Sequence, residues 1–353
     1  MNGVTRIFAN VGQALFAVER RGKYTIVYDC GGESKHVVAY AVPNLLKKGE
    51  LIDILFISHY DRDHINGIEY LLRHCRVCRI ILPMVEEPFR WLQAQTMEED
   101  SFEKIFVKDP IDAIQLYMHK LREEGIDGTT ESYVHYIAPW EEYIERNMDP
   151  ISVSNLPNGA IISAGRPIKL DDTDWIYLPF NRRIMTREQW DLFIWMLGLP
   201  AGSKPEDILI HWQTQWYSDT SQKRTIKKAW SEATRIPVGE INNYSMTLYS
   251  GPSRILSQSA CLFMGDYNAK RFVDVLLEFY DGLWGNVEVI QIPHHGSLDN
   301  FNSQIIVHQG IHVISNKQHP TKRGDVNATY AKQMIRLAGE KIVETWQREI
   351  SFV

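Results

Sequence analysis

Three apolar runs in this sequence each end in side chains that bind cations, and that repetition constrains the fold more than any other feature. Ile52-Asp53-Ile54-Leu55-Phe56-Ile57-Ser58 leads straight into His59-Tyr60-Asp61-Arg62-Asp63-His64. Leu262-Phe263-Met264 leads into Gly265-Asp266, and Val289-Ile290-Gln291-Ile292-Pro293 into His294-His295-Gly296-Ser297. Short, nearly continuous apolar runs suit strands buried on both faces. Imidazole and carboxylate suit borderline and hard divalent ions. A polar surface loop would not select ligand types alone, and two core histidines in sequence would each need a separate partner. The three strand ends therefore argue for one site at one edge of a sheet. Ligands at 59–64, 266 and 294–295 must converge, so the 353 residues read as a single domain, 1–353, rather than two.

The rest of the chain is organised around those runs. Val11–Val18 reads as strand, turn, strand; Tyr24–Asp29 as a strand meeting the Cys30-Gly31-Gly32 turn; Arg79–Pro83 as another strand. Helices are expected over Val37–Lys47 and after His64. Strands alternating with helices indicate a layered α/β domain. Residues 86–149 then change character, with 16 acidic against 6 basic side chains. Asp109-Pro110 there reads as a helix cap, and Gly125 as a stop. Strands are expected at 160–168 and 174–180. A second helical insert, 182–235, carries 9 basic against 6 acidic residues, with capping boxes at Thr186 and Ser203. The β pattern returns at 245–249, 260–264, 287–292, 311–315, 342–346 and 349–353, with helices over 270–280 and 327–337.

Composition excludes several classes. No apolar run approaches about 18 residues, so no membrane-spanning helix is expected. The first residues lack the pattern of a secretory signal, and 4 cysteines form no disulfide framework, so a cytoplasmic setting is the expectation. The net charge of −6 averages an acidic insert against a basic one, so a nucleic-acid partner would need a local basic patch. Trp212, Trp216 and Trp230 in the basic insert are candidates to stack on bases. Cys75 and Cys78 would need two further ligands to hold a structural zinc.

The three motifs together resemble the metallo-β-lactamase-fold hydrolase superfamily, and more closely the branch containing the metallo-β-lactamase domain of ComEC-type competence proteins. Val11-Gly12-Gln13, Tyr28-Asp29-Cys30-Gly31, Asn242-Asn243-Tyr244-Ser245, Val313-Ile314-Ser315 and His319-Pro320 extend the likeness to both ends of the chain. The resemblance implies an αββα sandwich, interrupted here by the two mostly helical inserts. It implies two divalent ions, with His59 and Asp61 on one, Asp63 and His64 on the other, and Asp266 bridging. His295 is the preferred last ligand, with His294 turned to substrate; spacing alone does not separate the two. Asp29, Asn243 and Ser297 would steady the ligands. The competence branch has Gly where Asn66 stands here, and, unlike that branch with its Asp, the superfamily's commoner motif has His where Asp61 stands. The superfamily also supplies a further His before the bridging Asp, and His74, His119, His135 and His211 all lack a convincing context for that role.

Three carboxylates make the expected ligand set oxygen-rich, which favours manganese while leaving zinc open. The expected activity is hydrolysis by a hydroxide bridging the two ions, with phosphodiesters as substrate and DNA as the first guess. Asp63, His294 and His319 are the expected catalytic residues, and Lys317, Arg323, Lys227 and Lys228 the expected substrate contacts. Two rival readings stand beside it. One is hydrolysis of a small phosphodiester, ester or lactone. The other is a partner-docking module whose site is masked by the acidic insert, or a partner-regulated effector, since stand-alone relatives act in defence against phage.

Overall fold

The computed structural model describes residues 3–85, 87–94, 97–126, 131–140, 149–183, 185–204, 207–208, 220–235, 245–254, 259–317, 326–347 and 350–352. The first sheet is built from β1 (Val4–Phe8), β2 (Phe16–Arg21), β3 (Tyr24–Cys30), β4 (Leu51–Phe56), β5 (Arg76–Pro83), β6 (Tyr133–Ile137) and β7 (Ile161–Ile162) in that order, with β14 (Ile350–Phe352) added beside β1. The second runs β13 (Lys341–Glu344), β12 (Ile311–Ile314), β11 (Val287–Gln291), β10 (Ala260–Phe263), β9 (Thr247–Pro252), β8 (Trp175–Phe180). The chain folds as an αββα sandwich.

Period-two alternation in the strands creates the layers. On β3, Ile26 and Tyr28 face the second sheet while Val27 faces the helices. On β10, Cys261 and Phe263 face inward while Ala260 and Leu262 face the other helix layer. The inner layer is closed by Tyr28 stacking on Phe263 at 4.8 Å. Helices α1 (Lys35–Leu45), α2 (Arg62–Ile65) and α3 (Ile68–His74) lie against the first sheet. α9 (Ala269–Phe279) and α10 (Thr329–Leu337) cover the second. No helix among the described residues is long and apolar enough to cross a membrane.

Two expectations need correcting at the start of the chain and in the first insert. Val11–Leu15 is a loop, because Gly12 turns the backbone at φ +80° before β2 begins. That loop hydrogen-bonds to the ligand turn, Leu15 N to Asp63 O. Gly31 lies so close to the same turn that a Cβ there would fall 1.8 Å from Asp63 O. Within 86–149, α4 (Glu87–Ala94), α5 (Phe102–Lys108) and α6 (Pro110–Glu123) are helical, but Tyr133–Ile137 returns to the first sheet as β6. Its buried Val134 and Ile137 complete the apolar layers on either side.

The two inserts share one core. Phe89 of α4 packs on Trp230 of α8 (Thr220–Thr234) with centroids 4.2 Å apart, and on Phe193 of α7 (Arg187–Met196) at 6.1 Å. Trp230 is fully buried there, so it offers no stacking face. Trp212, Trp216, His211 and the Ser203 box's Glu206 lie outside the described residues.

Candidate metal centre

The ends of β4, β10 and β11 reach one edge of the sandwich, where the expected ligand residues meet. Asp61 N-caps the short α2, which carries Asp63 and His64 inward. Gly265, at φ +52°, turns the chain after β10 and delivers Asp266. After β11, His294 and His295 both adopt left-handed backbone, φ 46° and 55°.

Asp266 lies between two sets of donors. Its Oδ2 is 3.7 Å from His59 Nε2 and 3.6 Å from His294 Nε2. Its Oδ1 is 3.3 Å from His64 Nε2. Asp63 Oδ2 is 3.8 Å from His64 Nε2 and 3.4 Å from His295 Nε2. Asp61 Oδ2 is 3.9 Å from His59 Nε2. Donors sharing one tetrahedral ion at bonds of about 2.0–2.1 Å stand roughly 3.4 Å apart, so these separations suit shared ions. His59 Nε2, His64 Nε2 and Asp266 Oδ1 are buried without a hydrogen-bond partner. Buried polar atoms are normally paired, and donors left bare in this arrangement fit a metal.

The other ring nitrogen of each histidine is held. His64 Nδ1 is 2.7 Å from Asp29 Oδ2, and Asp29 also accepts from Ser58 N and Ser58 Oγ, each at 2.7 Å. His59 Nδ1 lies 2.9 Å from Ser58 Oγ and 3.0 Å from Ser245 Oγ. His294 Nδ1 meets Asn300 Oδ1 at 2.9 Å, and His295 Nδ1 meets Ser315 O at 2.8 Å. Fixing Nδ1 sets the tautomer and leaves Nε2 for a metal. Gln93 of α4 donates to Asp61 Oδ1, so the first insert reaches the site directly.

The electrostatics would suit a cation. Burial opposes charge on Asp266, but His294, His64 and His59 outweigh it and hold the carboxyl well below the usual range. Burial likewise opposes protonation of His64, yet Asp266, Asp29 and Asp63 raise it well above an ordinary imidazole. Burial, with His64 adding to it, pushes His59 down to about 3. Without an ion, the acids draw positive charge onto the His64 and His294 imidazoles; a divalent ion would supply that charge instead.

The cluster thus brings together His59, Asp61, Asp63, His64, Asp266, His294 and His295, with Asp29 behind His64. Other expected residues make other contacts. Ser297 Oγ accepts from Asp299 N and shapes the turn after the paired histidines. Lys317 Nζ pairs with Glu33 at 2.6 Å, and exposed Lys228 lies 3.8 Å from Glu232 along α8. Asn243, His319, Arg323 and the Lys227 side chain lie outside the described residues. His74 hydrogen-bonds Leu46 O, His119 lies beside Glu123 on an exposed helix face, and His135 is buried in β6, so none of these three reaches the cluster. Asn66 staples the Gly32 backbone through Nδ2 to O at 2.7 Å and N to Oδ1 at 2.9 Å. All 4 cysteines are free, and no metal-holding group among the described residues includes one. Sequence reasoning missed Ser58, Ser245, Asn300 and Gln93. Ser58 and Ser245 stood within quoted stretches without a role assigned to them, whereas Gln93 and Asn300 carry no local signal.

Known proteins share parts of this sequence and fold. ComE operon protein 3 of Bacillus subtilis is 33% identical over 96 residues, covering 26% of this chain and 12% of that protein. Among solved structures, unliganded yeast PDE1 aligns over 98% of both chains at 9% identity with a TM-score of 0.45. The short form of human tRNase Z aligns over 99% of this chain and 98% of its own at 12% identity, TM-score 0.43. Residues 11–139, which contain the first ligand motif, match the family described as the Metallo-beta-lactamase superfamily. That segment and the αββα sandwich around it give this chain the metallo-β-lactamase fold.

Proposed function

We propose that this chain is a metal-dependent phosphodiesterase acting on a nucleic-acid backbone, with DNA as the first substrate to test. The observation that carries the reading is Asp266, whose two oxygens face separate groups of imidazole nitrogens, each nitrogen fixed from behind. Asp63, His64, His295 and Asp266 Oδ1 would hold one ion; His59, Asp61 and Asp266 Oδ2 would hold another. Such ions acidify water and offset charge on the substrate's oxygens. Three carboxylates in the set favour manganese, with zinc as the alternative. The chain's own residues orient the site: Asp29 holds His64, Ser58 and Ser245 hold His59, and Gln93 holds Asp61. His319 remains the proposed proton donor to the leaving group. The phosphodiester class rests on the likeness to competence-type domains.

The test is a panel. Chelator-stripped protein is supplied with manganese, zinc or magnesium and offered DNA, RNA and small phosphodiesters. Metal-restored cleavage of DNA, lost in Asp63→Ala and His64→Ala proteins that stay folded, supports the reading. Cleavage surviving both changes removes this site from the reaction. If basic contacts guide a long backbone, cleavage falls steeply with salt.

One observation favours a small phosphodiester as the second reading. A cavity of about 250 Å³ beside Asp61 and Asp63 is bordered by Glu98 and Glu103, and Lys35 there is paired with Glu103 at 2.8 Å. An acid-edged pocket of that size suits a compact substrate better than a polyanion. Preference for the small ester across the panel decides for it.

A further inference from the structure

We propose that His294 is a metal ligand, completing the donor set of the ion held by His59, Asp61 and Asp266 Oδ2. It would take the role that the superfamily's commoner pattern gives to a separate histidine. The proposal rests on the dinuclear reading above.

Geometry places the ring. Its Nε2 is 3.6 Å from Asp266 Oδ2, and His59 Nε2 is 3.7 Å from the same oxygen. These match the 3.3–3.8 Å separations among the donors around the other ion, Asp63, His64, His295 and Asp266 Oδ1. The backbone is held in an uncommon state to achieve this. Two consecutive non-glycine residues occupy left-handed φ, a conformation L-residues seldom adopt in sequence. His294 N donates to Gly265 O, beside the bridging Asp266, and locks the turn.

The hydrogen bonds decide what the ring offers. Asn300 Nδ2 donates to Asp266 O at 2.8 Å, which turns Asn300 Oδ1 toward His294. That oxygen accepts from His294 Nδ1, so the neutral ring carries its proton on Nδ1 and presents a lone pair at Nε2. That lone pair, 3.6 Å from Asp266 Oδ2, is placed to bind a cation shared with the carboxylate. His294 therefore serves as ligand where the sequence reading turned it to substrate. Of the histidines between the first motif and Asp266, His74, His119 and His135 lie elsewhere, and His211 is outside the described residues.

The experiment measures metal content and affinity rather than turnover. Chelator-stripped wild type, His294→Gly and Asn300→Leu are titrated with manganese, with free ion followed by electron paramagnetic resonance. Wild type should bind two ions per chain. His294→Gly, whose glycine tolerates the left-handed φ, should keep one ion and bind the other at least about 100-fold more weakly, beyond the effect of losing an outer partner. Added imidazole should restore the second ion, which a folding defect would not permit. Asn300→Leu should weaken the same ion by about 10-fold. Two ions bound with unchanged affinity in His294→Gly would overturn the proposal while leaving the dinuclear reading intact. No ion bound by wild type would overturn both.

Discussion

Asp29 carries more of the site than its distance from the reacting edge implies, and Asp29→Asn is the sharpest way to test it. The carboxylate is fully buried at φ 54° and accepts from Ser58 N, Ser58 Oγ and His64 Nδ1, all at 2.7 Å. Removing it outright, as in Asp29→Ala, would leave three buried donors unpaired. At about 1–3 kcal/mol each, that loss approaches the whole stability of a domain. Asparagine keeps the shape and tolerates the left-handed backbone. Its amide nitrogen, however, must oppose one fixed donor. Turned toward Oδ1's place it faces Ser58 N–H; turned toward Oδ2's place it faces His64 Nδ1. In the second case His64 must move its proton to Nε2 and can no longer bind metal through that atom.

Outer partners of this kind change metal affinity by about 10–100-fold. The assay is the rise in melting stability on adding manganese at 100 times the wild-type dissociation constant. From the ion that His64 would hold, wild type should gain about 2.7 kcal/mol, and the variant only about 1.4 to 0.4 kcal/mol, by one-site linkage. Asp29 is paired to His64 in the folded chain, so the variant without metal should also be less stable. An unchanged metal-induced gain would refute the claim that Asp29 sets the state of His64.

Three further outcomes follow from other parts of the structure. Gln93→Ala should weaken one manganese ion by up to about 10-fold in a chelator competition, because Gln93 holds Asp61; equal affinity for both ions in variant and wild type would remove the insert from the site. Burial, with Arg79 adding to it, pushes His135 down to about 4, against about 6.5 in the unfolded chain. The unfolded chain therefore takes up the proton first, so stability present above pH 6.5 is lost as pH falls toward 4, by roughly 3 kcal/mol. Urea denaturation of His135→Leu should show that part of the acid loss missing, and an unchanged acid slope would count against it. Trp230→Ala should cost about 3–5 kcal/mol and reduce hydrogen-exchange protection in both α4 and α7, since Phe89 and Phe193 pack on it. Loss confined to α8 would mean the inserts are independent.

The strand ends were legible in the sequence because two signals coincide there. Apolar strands leave an unbroken run, and metal ligands are drawn from few residue types. Asp109 before Pro110 and the Thr186 capping box were legible for the same reason, since cap chemistry is local. β6 was not: Tyr133–Ile137 has β-forming residues, but it lies inside a strongly acidic stretch that reads as a solvated helix. Ser58, Ser245 and Asn300 are small polar residues of a kind found everywhere, and only the folded chain aligns them with ring nitrogens. The joint core of the two inserts depends on contacts between distant segments, Phe89 with Trp230, which no local pattern records. The direction of His294 depends on two left-handed backbone angles at residues that ordinarily avoid them.

The central claim is that Asp266 bridges two ions whose joint presence hydrolyses a phosphodiester. Its most direct measurement is cleavage of end-labelled DNA by chelator-stripped protein before and after manganese is restored, with wild type beside Asp266→Asn. Cleavage is expected only in wild type and only with manganese, while the folded Asp266→Asn chain stays inactive at the same metal concentration. Cleavage of comparable rate by Asp266→Asn, or manganese-independent cleavage by wild type, would contradict it.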